Sequence, residues 1–180
     1  MDISKVAIGG NPPDEVNVII EVSLRSDPIK YEFEKDSGAI VVDRFLYTTM
    51  FYPCNYGFIP HTLATDGDPV DVMVIGRMPV QSGAMMAVRP IGVLELEDEA
   101  GGDEKILAVP TRKITQLYDR VNSWQDVPEI DLKRIQHFFE HYKDLEPEKW
   151  TRVGNWRDTD IAHGLITEAI ARAEKQSSDE

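Results

Sequence analysis

Between residues 16 and 24 the even positions Val16, Val18, Ile20, Val22 and Leu24 are apolar, while Asn17, Glu21 and Ser23 interrupt the odd ones. A period of two predicts a β-strand with one buried face. Ile29, Tyr31 and Phe33 alternate in the same way with Lys30, Glu32 and Glu34. Further β-rich runs cover 39–46, 70–75, 85–94 and 105–109, with Gly and Pro punctuating the chain around them. Many short strands so punctuated predict a small barrel. The last third changes period. Over 129–145, Leu132, Ile135, Phe138, Phe139, Tyr142 and Leu145 form one helical stripe, with Pro128 suited to the start and Pro147 to the stop. A second helix is predicted over 158–173, with Ile161, Leu165, Ala169 and Ile170 on its apolar face. Strands first and helices last make an α+β chain.

Length and charge narrow the possibilities. The 180 residues suit one domain, 1–180, with 175–180 as a disordered polar tail. A formal net charge of −13 disfavours nucleic acid and anionic membrane, which are bound mainly through Lys and Arg. An anionic substrate is compatible with such a chain only where metal ions or a local basic patch reverse the field. Cys54 is the single cysteine, so no intrachain disulfide can form. With no apolar targeting segment at the N-terminus, this points to a cytoplasmic protein.

The sharpest chemical feature is Asp66-Gly67-Asp68-Pro69-Val70-Asp71, three aspartates on a turn that leads into a predicted strand. An EF-hand is excluded, because Val70 and Asp71 stand where that loop needs Asp or Asn and then Gly. A second acidic cluster, Asp98-Glu99-Ala100-Gly101-Gly102-Asp103, followed by Lys105, lies on a hairpin between two β-rich runs. Taken singly, the first cluster reads equally well as a solvated turn, and the second reads better as a polar turn. If they converge, their mutual repulsion raises carboxyl pKa values or recruits divalent cations. All-oxygen ligands favour magnesium, manganese or calcium. Complementary groups lie nearby in the chain: Lys30 and Glu32 on one side of a strand, Arg44 in the next run, Tyr52 and Tyr56, and Tyr142-Lys143 at the end of the first helix. Together they describe a phosphate site.

These residues, in this order, resemble the soluble family I inorganic pyrophosphatases in their compact bacterial form. The match covers Asp66 to Asp71, the Lys30/Glu32 strand, Arg44, Tyr52-Pro53-Cys54-Asn55-Tyr56-Gly57, Asp98 to Lys105, and Phe138 to Lys143. The resemblance implies a five-stranded OB-like closed β-barrel flanked by two α-helices, and a homohexamer built as a dimer of trimers. It implies several Mg2+ ions per subunit, with Asp66, Asp71 and Asp103 holding those present before substrate. Asp98, Asp103 and Glu32 would meet those that arrive with pyrophosphate. Asp68 is then the general base, and Lys30, Arg44, Tyr56, Tyr142 and Lys143 hold substrate. Glu21, Tyr52, Glu99 and Lys105 orient the ligands and balance charge.

Two rival readings have specific carriers. His137-Phe138-Phe139-Glu140-His141 fits the H-x-x-E-H pattern of a zinc peptidase family, though over five residues only. An OB barrel could bind oligonucleotide, or could bind calcium or phosphate without turnover. No basic aromatic strand face supports the oligonucleotide.

Overall fold

The computed structural model describes residues 2–179. Among the described residues, nine strands and two α-helices follow the chain: β1 (Val16–Val22), β2 (Ile29–Glu34), β3 (Ala39–Phe45), β4 (Asn55–Phe58), β5 (Asp71–Val74), β6 (Met85–Asp98), β7 (Gly101–Gly102), β8 (Lys105–Pro110), α1 (Glu129–His141), β9 (Thr151–Arg157) and α2 (Thr159–Asp179). Five strands run side by side in the order β1-β4-β5-β8-β6, and β6 pairs back with β1. This closes the sheet and removes its free edges. All neighbours are antiparallel except β5 and β8. β7 and β9 extend the far end of β6, whereas β2 and β3 form a separate two-stranded hairpin.

The barrel strands bury both faces. Val72 and Val74 join one apolar cluster with Ile106, Ala108 and the α2 residues Ala162, Ile166 and Ala169. Met73, Leu107 and Val109 face the other way, against Leu132, Ile135, Phe138 and Phe139 of α1. Each helix therefore closes one core. Gly57 of β4 lies so close to β1 that a Cβ there would stand 1.9 Å from the Ile19 carbonyl oxygen, which explains glycine inside a strand.

Several expected boundaries shift. α1 ends at His141 rather than at 145, Tyr142 caps it, and Leu145 is 67% exposed instead of continuing the stripe. The buried face of α2 is Ala162, Ile166 and Ala169; Ile161, expected there, is 45% exposed. α2 also runs past 173 to Asp179, so the expected polar tail continues the helix through the described residues. β6 extends to Asp98 rather than 94, and β4 and β9 were not expected from the pattern.

Candidate active site

The aspartate turn is built locally. Asp66 Oδ1 accepts the Asp68 N–H at 3.0 Å, the Ala64 N–H donates to the Asp68 carbonyl at 2.7 Å, and Gly67 takes φ +96°. That conformation favours glycine, so the residue between the two aspartates is dictated by the turn. Thr62 Oγ1 accepts the Val70 N–H at 3.0 Å, and Asp71 then opens β5 opposite Phe58 of β4. The second acidic turn forms similarly. The Ala100 N–H donates to Asp98 Oδ1 at 2.8 Å, and the Asp103 N–H to the Leu96 carbonyl at 2.9 Å. Glu21 sits where the β1 register shifts between Ile20 and Val22. Such a bulge redirects a side chain that simple alternation would place otherwise.

These elements surround one cavity of about 370 Å³. All fifteen residues singled out above line it: Glu21, Lys30, Glu32, Arg44, Tyr52, Tyr56, Asp66, Asp68, Asp71, Asp98, Glu99, Asp103, Lys105, Tyr142 and Lys143. The hairpin supplies Lys30, Glu32 and Arg44, the barrel mouth supplies the aspartates, and the end of α1 supplies Tyr142 and Lys143. The His pair does not reach it. His137 lines a separate cavity beside Arg77 and Arg134, and His141 meets Asp144 at 2.8 Å.

Charge is organised in lysine–carboxylate sets. Lys105 Nζ lies 2.7 Å from Asp71 Oδ2, 2.8 Å from Asp103 Oδ1 and 3.0 Å from the Tyr56 hydroxyl, with its side chain only 4% exposed. Burial disfavours the Lys105 ammonium, but Asp71 and Asp103 outweigh it and raise its pKa well above the usual lysine value. Lys143 Nζ donates to Asp98 Oδ2 at 2.8 Å and stands 3.4 Å from Glu99. Burial would raise Asp98; the Lys143 bond and the Ala100 N–H reverse this and hold it below the ordinary carboxyl value. Lys30 pairs with Glu32 and lies 3.5 Å from Asp43. Tyr52 packs 4.7 Å from Phe138 and 5.7 Å from Tyr56, ring to ring.

Three carboxylates are left to other fates. Glu21 is 8% exposed, and burial, with Asp71 and Glu32 nearby, pushes its carboxyl up to about 8 against the opposing Phe33 N–H. Asp66 is raised by burial and by Asp68, Asp103 and Asp71, which marks the convergence of the two acidic clusters. Asp68 carries no ion pair or side-chain hydrogen bond among the described residues, and its carboxylate is exposed. Among the described residues no three ligating side chains already close on one point. The donor set nevertheless suits a hard divalent cation, being carboxylate oxygen throughout. The lining holds eight carboxylates and six Lys or Arg, a formal charge of −2, so a polyanion needs additional positive charge to enter.

The sequence reading missed Lys35 and Lys149 in the lining, and Glu146 behind it. Glu146 is buried and bonded to Arg44, though nothing in its local pattern separates it from a surface glutamate. Pro147 and the end of α1 were the only signal that the chain turns there.

Comparison with known proteins agrees with this geometry. The family model for inorganic pyrophosphatase matches residues 18–174. The inorganic pyrophosphatase of Agrobacterium fabrum is 58% identical over 176 residues, 98% of this chain and 99% of that protein. That of Bradyrhizobium diazoefficiens is 59% identical over the same shares. Among solved structures, an inorganic phosphatase from Anaplasma phagocytophilum superimposes with a TM-score of 0.92 at 53% identity, covering 94% of this chain and 99% of the other. The Thermus thermophilus inorganic pyrophosphatase gives 0.91 at 42% identity, covering 97% and 99%. The chain belongs to the bacterial family I inorganic pyrophosphatases.

Proposed function

We propose that this chain hydrolyses pyrophosphate by magnesium-dependent, direct in-line attack of water, with Asp68 as the general base and no covalent intermediate. The observation that carries the reading is the meeting of the two acidic turns with Lys30, Arg44, Tyr56, Tyr142 and Lys143 around one cavity. Pyrophosphate carries roughly −3 near neutral pH, which the net acidic lining repels. Asp66, Asp71, Asp98, Asp103 and Glu32 would hold Mg2+. When bound, these ions neutralise the substrate and lower the pKa of water toward neutrality.

Asp68 is suited to take the proton because no described cation competes for its carboxylate. Water oxygen attacks one phosphorus, its proton passes to Asp68, and the bridging oxygen leaves with the second phosphate. Arg44 and the lysines hold the phosphoryl oxygens, which is most of what phosphoryl transfer requires. Lys105, Glu99, Glu21 and Tyr52 position the carboxylates and tyrosines that meet metal and substrate.

The described residues include no helix long and apolar enough to cross a membrane. We place the protein in the cytoplasm, without a nucleic-acid partner. We also infer a homohexamer, supported by exposed Phe45, Tyr47, Phe51 and Met78 on the subunit surface. Phosphate release from pyrophosphate, with magnesium and with EDTA, tests the function against ATP and p-nitrophenyl phosphate as competing substrates. Release from pyrophosphate alone, abolished by EDTA, is the expected result. Turnover of all three substrates, or turnover in EDTA, would refute it.

A further inference from the structure

Arg44, proposed to bind substrate, is held by carboxylates that do not themselves line the cavity. It stands on β3, in a hairpin that shares no strand pairing with the barrel. On β2, Lys30 lies directly opposite it, and the register then slips so that Asp43 is the extra residue of the pair. The Arg44 guanidinium is held at two points: Nη1 donates to Asp43 Oδ2 at 2.6 Å, and Nε donates to Glu146 Oε2 at 2.9 Å. Nη2 forms no hydrogen bond with any described residue.

The two holding carboxylates differ. Asp43 is the adjacent residue and moves with the hairpin. Glu146 is 102 residues away, past the end of α1, and does not line the cavity. It is only 8% exposed, and its Oε1 is buried with no hydrogen-bond partner. A carboxylate buried with one oxygen unsatisfied costs stability. A surface position could satisfy ordinary charge balance without that cost.

The chain around Glu146 is also fixed. The Glu146 N–H donates to the Lys143 carbonyl at 2.9 Å, and the Lys149 N–H to the Glu146 carbonyl at 3.3 Å. Two successive turns thus set Lys143, Glu146 and Lys149 at three-residue intervals. Lys143 and Lys149 line the cavity, while Glu146 reaches behind it to Arg44 and lies 3.6 Å from Lys149.

From this arrangement we infer that Glu146 is a positioning residue: it latches the β2–β3 hairpin to the end of α1 and fixes the Arg44 fork toward the phosphoryl group. The inference rests on the proposed role of Arg44 in holding substrate. Guanidinium recognition of phosphate depends on direction as well as charge. Loss of the latch should therefore weaken substrate binding more than it slows the chemical step.

The test is a double-mutant cycle with Glu146→Ala, Glu146→Gln, Arg44→Ala and Arg44→Ala/Glu146→Ala. Readouts are kcat, KM for pyrophosphate, calorimetric binding of the non-hydrolysable methylenediphosphonate with magnesium, and Tm. Glu146→Ala should raise KM and weaken diphosphonate binding about 10-fold, with kcat changed less than 3-fold. Glu146→Gln, which keeps an acceptor for Arg44 Nε, should recover most of that loss. In the Arg44→Ala background, Glu146→Ala should add nothing to either binding value. Additive effects in the cycle, or unaltered binding in Glu146→Ala with a normal Tm, would overturn the latch while leaving the role of Arg44 standing. A fall in Tm with unaltered binding by the Gln variant and additive loss by the Ala variant would reduce Glu146 to a fold residue, again against the inference. If Arg44→Ala itself leaves KM and diphosphonate binding unaltered, the substrate role of Arg44 fails, and the latch with it.

Discussion

Replacing Glu21 by Gln should stabilise the metal-free protein at alkaline pH and leave its stability much less altered in mild acid. The Glu21 carboxyl, ordinarily near 4.5, is pushed up to about 8 by burial and by the neighbouring Asp71 and Glu32. A raised carboxyl pKa means that the folded state holds its proton longer than the unfolded chain does. Its contribution is therefore favourable at low pH and declines as pH rises from 4.5 to about 8. Each pKa unit is worth about 1.4 kcal/mol, so the accumulated penalty grows by about 3 kcal/mol between about pH 5.5 and 8.5. Gln imitates the protonated side chain, and its carbonyl can accept the Phe33 N–H that now donates to Glu21 Oε1 at 2.7 Å. The assay is urea unfolding of both proteins in EDTA across that pH range. With an m-value of about 1–3 kcal/mol/M, the gap in midpoint should widen by about 1 M or more toward the alkaline end. Magnesium should shrink the gap, since cations near Asp71 ease the ionisation of Glu21. A gap that is constant with pH, or one that favours the wild type at pH 8.5, would refute the argument.

Asp68→Asn should lower kcat about 10²-fold, as expected for loss of a general base, and extra magnesium should not restore it. Asp71→Asn should instead raise the magnesium concentration needed for half-maximal activity by about 10-fold or more, because Asp71 supplies charge both to the proposed ions and to Lys105; a shared magnesium dependence of the two variants would refute the division of roles. Calcium should bind the same carboxylates yet inhibit, since it prefers a larger and looser oxygen shell; calorimetric calcium binding set beside the rate in mixed Mg2+/Ca2+ checks this, and full turnover with calcium alone would contradict it. The His137 and His141 rings meet edge to face, 4.6 Å apart on α1 and outside the active cavity; replacing both by Ala should change the pH dependence of assembly by size-exclusion chromatography between pH 5 and 8 without abolishing turnover.

The parts of the site that could be recognised in the sequence are those built from short-range rules. The Asp66–Asp71 turn has its own glycine, its own Asx hydrogen bond and its own strand start, so its shape is written in six consecutive residues. β1 alternates because polar side chains interrupt it at regular intervals. β8 shows no alternation, since Ile106, Leu107, Ala108 and Val109 are buried on both faces of the closed sheet. β4 alternates over four residues only, Asn55-Tyr56-Gly57-Phe58, and β9 (Thr151–Arg157) has no apolar period, so both are held as strands by the partners they lie beside. The helix errors have a similar origin. On α2 the expected Ala169 is buried, but beside Ala162 and Ile166, while the expected Ile161 is exposed; apolar residues lie on more than one side of this helix, so hydrophobicity alone does not fix its buried face. In α1 the apolar period runs on to Leu145, but Tyr142 ends the helix and the following turns face Glu146 inward. That exchange underlies the proposed latch. A leucine placed outside and a glutamate placed inside reverse the usual expectation, and the reason lies 102 residues away at Arg44. Local pattern can identify the residues proposed to meet a substrate, because those are read from their chemistry. Residues that aim them are chosen by where the chain returns, and only the folded topology brings Glu146 behind Arg44.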